Sequence, residues 1–79
     1  MNNRDTKKKI EALMTRQENG EHMACPRCGK DQMDPKLVHN ALSRYANVYI
    51  CDSCGLMEAM NDFVGIPALQ YLDWAAAQW

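Results

Sequence analysis

The sequence has no run of the roughly 18–20 apolar residues that a membrane-spanning helix requires. Its opening residues, Met1-Asn2-Asn3-Arg4-Asp5, lack the apolar stretch and cleavage site of a secretory leader. The expected compartment is therefore the cytoplasm, where reducing conditions disfavour disulfides. Histidine is scarce, with His22 and His39 alone, and both are expected at the surface. Low-complexity tracts are missing. So is any internal repeat beyond two short cysteine pairs.

Net charge is also small, −1 over 79 residues. It is unevenly spread. Residues 1–30 carry seven Lys/Arg against four Asp/Glu, a balance of +3, and residues 31–79 carry two against six, a balance of −4. The chain as a whole is a poor non-specific binder of nucleic acid. Only its N-terminal third would be drawn to phosphate.

What is present is one small domain with a candidate staple. A core this size seldom contributes more than about 3–5 kcal/mol net, so natural proteins of this length often add disulfides or a metal. All four cysteines fall in two pairs, Cys25-Pro26-Arg27-Cys28-Gly29 and Cys51-Asp52-Ser53-Cys54-Gly55. In such a turn the first sulfur accepts N–H bonds from the residues that follow. The two-residue gap lets both sulfurs reach one ion. A glycine after the second cysteine permits the positive φ that closes the turn. Two such pairs make a tetrahedral four-sulfur site suited to one structural Zn²⁺ ion, with iron the chemical runner-up. The metal ligands are thus Cys25, Cys28, Cys51 and Cys54. A dithiol redox pair is disfavoured because both pairs read as metal knuckles rather than strand-to-helix junctions. A closed shell of four thiolates leaves no position for activated water, and no nucleophile–base pair is visible, so no enzyme is expected.

Periodicity supplies the rest. Thr6 to Gln17 reads as a helix, with Ile10, Leu13, Met14 and Gln17 on one face and Asn19-Gly20 as its stop. Lys7, Lys8 and Lys9 would sit in its first turn, where the helix dipole disfavours cations. Asp34-Pro35 reads as the start of a second helix reaching about Arg44. Val48-Tyr49-Ile50 is a short strand leading into Cys51. Leu56 to Val64 is helical and ends at Gly65, and Pro67 opens a final helix to Trp79.

The layout resembles the zinc-ribbon fold group. More narrowly, the stretch from Cys25 to Ala59 resembles small uncharacterised four-cysteine zinc-ribbon proteins of bacteriophages and Gram-positive bacteria. Cys25-Pro26-Arg27-Cys28-Gly29, Asn40-Ala41-Leu42-Ser43-Arg44, Val48-Tyr49-Ile50-Cys51, Cys54-Gly55 and Glu58-Ala59 carry the likeness. Leu56-Met57 stands where the resemblance leads one to expect a more polar pair. The resemblance implies a fold and a phage or mobile-element context in a bacterial host cell, and no substrate. The expected architecture is small, metal-stabilised α+β. A two-knuckle zinc-ribbon-like core with a short β-hairpin (21–56) stands between an N-terminal helix (1–20) and a C-terminal helical segment (57–79), forming one domain.

Two surfaces are candidates for binding. Zinc ribbons often bind nucleic acid through knuckle and hairpin residues. Lys7, Lys8, Lys9, Arg27, Lys30 and Arg44 could contact phosphates, with Tyr45 or Tyr49 stacking on bases, although the surrounding acidic charge favours ordinary surface cations. Asn40, Ser43 and Arg44 could instead buttress the second pair, Arg44 by pairing with Asp52 or donating to backbone carbonyls. In the last segment Leu69, Tyr71, Leu72, Trp74 and Trp79 place apolar mass on more than one helix face, which suggests a protein interface or self-association. The expected function is a non-enzymatic zinc-binding interaction or regulatory protein, acting on a protein partner such as a host defence or transcription complex. The alternatives are a nucleic-acid-binding ribbon and a rubredoxin-like iron electron carrier. No membrane or small-molecule partner is indicated.

Overall fold

A computed structural model describes residues 3–79. The chain is a small α+β unit with the element order α1 (Asn3–Glu11), α2 (Leu13–Glu18), β1 (Ala41–Leu42), β2 (Tyr49–Ile50) and α3 (Asp52–Val64), with short 3₁₀ turns at Leu37–His39, Tyr71–Asp73 and Ala75–Gln78.

Helices α1 and α2 are nearly one rod. Ala12 between them keeps right-handed helical angles, and its N–H reaches the Lys8 carbonyl at 3.0 Å. The rod stops where the sequence indicates. Gly20 takes φ +83°, its N–H bonds Gln17 O, and the Glu21 N–H bonds Arg16 O, so two end carbonyls find partners. The buried face is Thr6, Ile10, Leu13 and Gln17. The rod begins earlier than expected, so Lys7, Lys8 and Lys9 lie beyond its first turn and Asp5 within it, where the dipole favours an acid.

Gln17 replaces a missing strand neighbour. Its Oε1 accepts from the Tyr49 N–H at 3.0 Å and its Nε2 donates to the Tyr49 carbonyl at 2.9 Å. This covers the open edge of β2, whose other edge pairs antiparallel with β1, Ala41 facing Ile50 and Leu42 facing Tyr49. An uncovered edge would leave backbone groups unpaired.

The helix expected from Pro35 to Arg44 does not form. Asn40 competes with it. Its side-chain oxygen accepts the Asp34 N–H at 2.8 Å, and its amide donates to the carbonyls of Asp34 and Leu37 at 3.1 and 3.2 Å. The Asp34 carboxylate meanwhile takes the Lys36 N–H at 2.8 Å. These side chains satisfy the backbone locally and hold a compact loop with one 3₁₀ turn. Ala41 and Leu42 then join the sheet.

The final helix expected after Pro67 is also absent. The segment breaks into two 3₁₀ turns because its backbone bonds another part of the chain. Ala75 N–H donates to Arg27 O at 3.2 Å and Ala76 N–H to Pro26 O at 2.9 Å. Lys9 Nζ adds a bond to Ala77 O at 3.0 Å. The C-terminal segment is thereby laid over the first cysteine turn and against α1. Trp74, 1% exposed, fills the core with Ile10, Val48, Ile50 and Ala76.

Candidate metal centre

Cys25 and Cys28 stand on a tight turn. Gly29 closes it with φ +79°, its N–H bonding Cys25 O at 2.8 Å, and Cys25 N–H bonds Lys30 O at 2.9 Å. This is the knuckle that the sequence indicates. The Cys25 sulfur accepts N–H bonds from Arg27, Cys28 and Cys51, the last at 3.3 Å.

The second pair is built differently. Cys51 caps α3 in an extended conformation, and Cys54 lies in the helix's first turn. The pair therefore sits on a junction between β2 and α3, not on a second hairpin knuckle. Gly55 is helical and supplies no positive φ. Its role is clearance, since a Cβ there would overlap the Ala41 side chain. The helix brings four sulfurs to its positive end, where negative charge is favoured.

All four sulfurs lie within 4.8 Å of one another. Cys25 Sγ is 3.8 Å from Cys54 Sγ, and Cys28 Sγ is 3.9 Å from Cys51 Sγ. A Zn–S bond of about 2.3 Å implies a tetrahedral S–S edge of about 3.8 Å, so the donor set fits a four-sulfur metal centre. Each sulfur of the strand–helix pair has one from the first turn beside it, and both Cys51 and Cys54 are buried. That distinguishes them from an isolated, accessible dithiol. The two histidines are elsewhere: His22 faces Asp31 at 2.9 Å and His39 faces Asp34 at 3.5 Å, all exposed.

At the two buried positions Cys25 and Cys54 the surroundings favour protonated sulfur. Burial raises the Cys25 thiol and raises the Cys54 thiol far more, with the Cys25 thiol adding to it. At the exposed Cys28, burial also pushes upward, but the Lys30 N–H and the neighbouring thiols hold it below the ordinary thiol range. A divalent ion reverses the preference for protonated sulfur by binding the thiolates directly.

A buried ionic group backs the sulfurs. Glu58, one turn beyond Cys54 on the same helix face, is 2% exposed. Its carboxylate accepts from Ser43 Oγ at 3.0 Å and the Arg44 N–H at 2.9 Å. Arg27 Nε lies 3.5 Å away, and the same guanidinium reaches the Cys54 sulfur. Glu58 thus ties the first turn, the β1–β2 loop and α3 together. In the sequence Glu58 stands out only through the resemblance that Glu58-Ala59 helps carry. The available signal was its spacing of four from Cys54, which puts both on one helical face.

The remaining site expectations divide. Lys9 is committed to Ala77 O, and Lys7 lies 5.9 Å from the Tyr71 ring centroid. Arg27 is engaged with Glu58, and Arg44 reaches Asp62, not Asp52, at 3.4 Å. Lys8 and Lys30 are exposed. Four of the six cations named for nucleic acid are therefore spent on contacts within the chain. Of the five residues named for a protein interface, Trp74 is core. Tyr71 packs against it with centroids 6.0 Å apart and bonds the Tyr45 carbonyl through its hydroxyl. Leu69, Leu72 and Trp79 are exposed. Tyr45 is likewise engaged, its hydroxyl donating to Asp62.

No protein-family model, no curated protein and no solved structure matches this chain. Among the described residues no helix is long and apolar enough to cross a membrane.

Proposed function

We propose that this chain is a non-enzymatic interaction module whose fold is held by one structural Zn²⁺ ion on Cys25, Cys28, Cys51 and Cys54. The observation that carries the reading is the pair of sulfur–sulfur edges at 3.8 and 3.9 Å, the spacing of a tetrahedral zinc–thiolate centre. Three of the four ligands are buried, and the ionic group behind them is built from side chains of three separate segments. Such a centre joins distant parts of a short chain and offers no open coordination position. The ion's role is therefore to fold the domain, and function falls to its surface.

That surface favours a protein partner over nucleic acid, because most of the candidate cations are engaged internally. The likeness carried by residues 25–59 extends the proposal to a zinc ribbon in a cytoplasmic, phage or mobile-element setting, with a host defence or transcription factor as target. The second cysteine pair departs from the ribbon pattern by lying on a helix.

Elemental analysis of the native protein tests the reading. One zinc per chain is expected, with a colourless solution, and removal by a strong chelator should unfold the domain. A ferric-thiolate spectrum would replace it with the electron-carrier reading. A metal-free chain that remains folded would overturn it.

A further inference from the structure

Helix α3 carries its amphipathic pattern inside out. Its core-facing side presents Cys54 and the carboxylate of Glu58. Its outward side presents Leu56, Met57, Met60, Phe63 and Val64. Phe63 is 91% exposed and the other four are 51–63% exposed. At 100° per residue these five fall within an arc of about 120°, on the side away from Cys54 and Glu58. Ser53 is the only polar side chain inside that arc.

Five side chains of this size present roughly 600 Å² per copy, already at the upper end of the largest apolar patch on a typical monomer. Pairing two such faces would bury about 1,200 Å², the lower edge of a specific stable interface. The chemistry of the face restricts its occupant. Helix α3 holds Asp52, Glu58 and Asp62 and no Lys or Arg, so neither nucleic acid nor an anionic membrane surface is attracted. The spacing points to one partner in particular. Positions 56, 57, 60, 63 and 64 are symmetric about 60. A two-fold axis through Met60, with the helices antiparallel, sets Leu56 against Val64 of the second copy, Met57 against Phe63, and Met60 against itself. Every apolar side chain then meets another, no charge is buried, and each helix's positive end lies beside the other's negative end.

We propose that a second copy of this chain occupies the outer face of α3, forming a two-fold antiparallel helix pair centred on Met60. The proposal deepens the interaction-module reading and rests on it. It moves the interface from the C-terminal segment to α3.

Sedimentation analysis of the zinc-loaded protein is the test, with zinc content measured on every sample. The wild-type mass should rise from 9.0 kDa toward twice that value between about 1 µM and 1 mM. Met60→Lys and Met60→Glu place like charges on the axis. Each alone should remain at the monomer mass with its zinc retained, and an equal mixture should dimerise because opposite charges then meet. Phe63→Ser should also be monomeric, which keeps the test open if a charged variant fails to fold. The proposal is overturned if zinc-loaded wild type stays at 9.0 kDa throughout, or if all three variants dimerise as the wild type does. It is also overturned if the face proves to hold a different protein whose binding Met60→Lys abolishes. A monomer with one zinc ion sinks the dimer alone. A folded chain without metal sinks the metal reading alone.

Discussion

The N-terminal rod and α3 are both amphipathic, yet they are oriented in opposite senses. The rod turns Ile10 and Leu13 into the core and leaves its charges outside. Helix α3 turns a thiol and a carboxylate inward and leaves Leu56, Met60 and Phe63 outside. The difference shows which force sets each helix. Apolar burial orients the rod, at about 25 cal/mol per Å² removed from water. In the proposed metal-bound form, sulfur ligation orients α3. Structural zinc sites in small domains carry apparent binding free energies of about 10–16 kcal/mol, more than the burial of several side chains returns. With Cys51 and Cys54 turned into the sulfur cluster, the rotation of α3 is fixed too, and its apolar stripe has no core to enter.

The sharpest way to break the contrast is to remove what orients α3. Cys54→Ser should unfold the chain, read as loss of the helical circular dichroism signal together with the bound metal, because metal-binding energy here is folding energy. Acid should act in the same direction. Binding displaces thiol protons, so falling pH opposes it. Apparent zinc affinity should drop by about tenfold or more per pH unit below neutrality, as a competition titration against a coloured chelator would show. Affinity that does not vary with pH would mean that the thiols do not carry the metal.

Glu58→Ala comes next. It removes the carboxylate partner of the Arg27 guanidinium and the acceptor of the Ser43 hydroxyl, and breaking a buried ion pair in this way costs about 3–5 kcal/mol. Denaturant unfolding of the zinc-loaded variant measures it. Ile10→Ala attacks the rod in the ordinary way, by cavity formation. It should cost about 2–4 kcal/mol in the same assay and leave zinc stoichiometry at one. The smallest effect sharpens the comparison most. Phe63→Ser, at the most exposed large apolar side chain of α3, should change stability by less than about 0.5 kcal/mol in dilute solution, although the same substitution at Ile10 would be severe. A large loss at Phe63 would show that the outer face of α3 is packed against the protein's own chain.

Much of the site was legible from residue order. Paired cysteines with a two-residue gap bring their sulfurs together whatever the surrounding fold, since the constraint is local. Gly20 and Gly65 marked the ends of helices for a local reason as well, both taking the positive φ that glycine tolerates. Three features did not follow from the pattern. Asn40 diverted an apparently helical segment by bonding carbonyls that a helix would have used. Ala75 and Ala76 gave their N–H groups to the first cysteine turn, so the last segment formed 3₁₀ turns. Trp74, expected at a protein interface because apolar mass would lie on more than one face of a terminal helix, is core because no such helix forms.

Sequence alone determined the closeness of the two sulfurs within each cysteine pair, the short strand before Cys51 and the helix stops at Gly20 and Gly65, all through interactions between residues close in the chain. Only the tertiary structure decided that the second cysteine pair opens a helix, that Glu58 is buried beside Arg27, and that α3 shows its apolar stripe to solvent. Periodicity tells which side chains share a face. The direction that face takes depends on what the rest of the chain brings to the other side, and here that is a cluster of sulfurs assembled from a turn and a distant strand–helix junction.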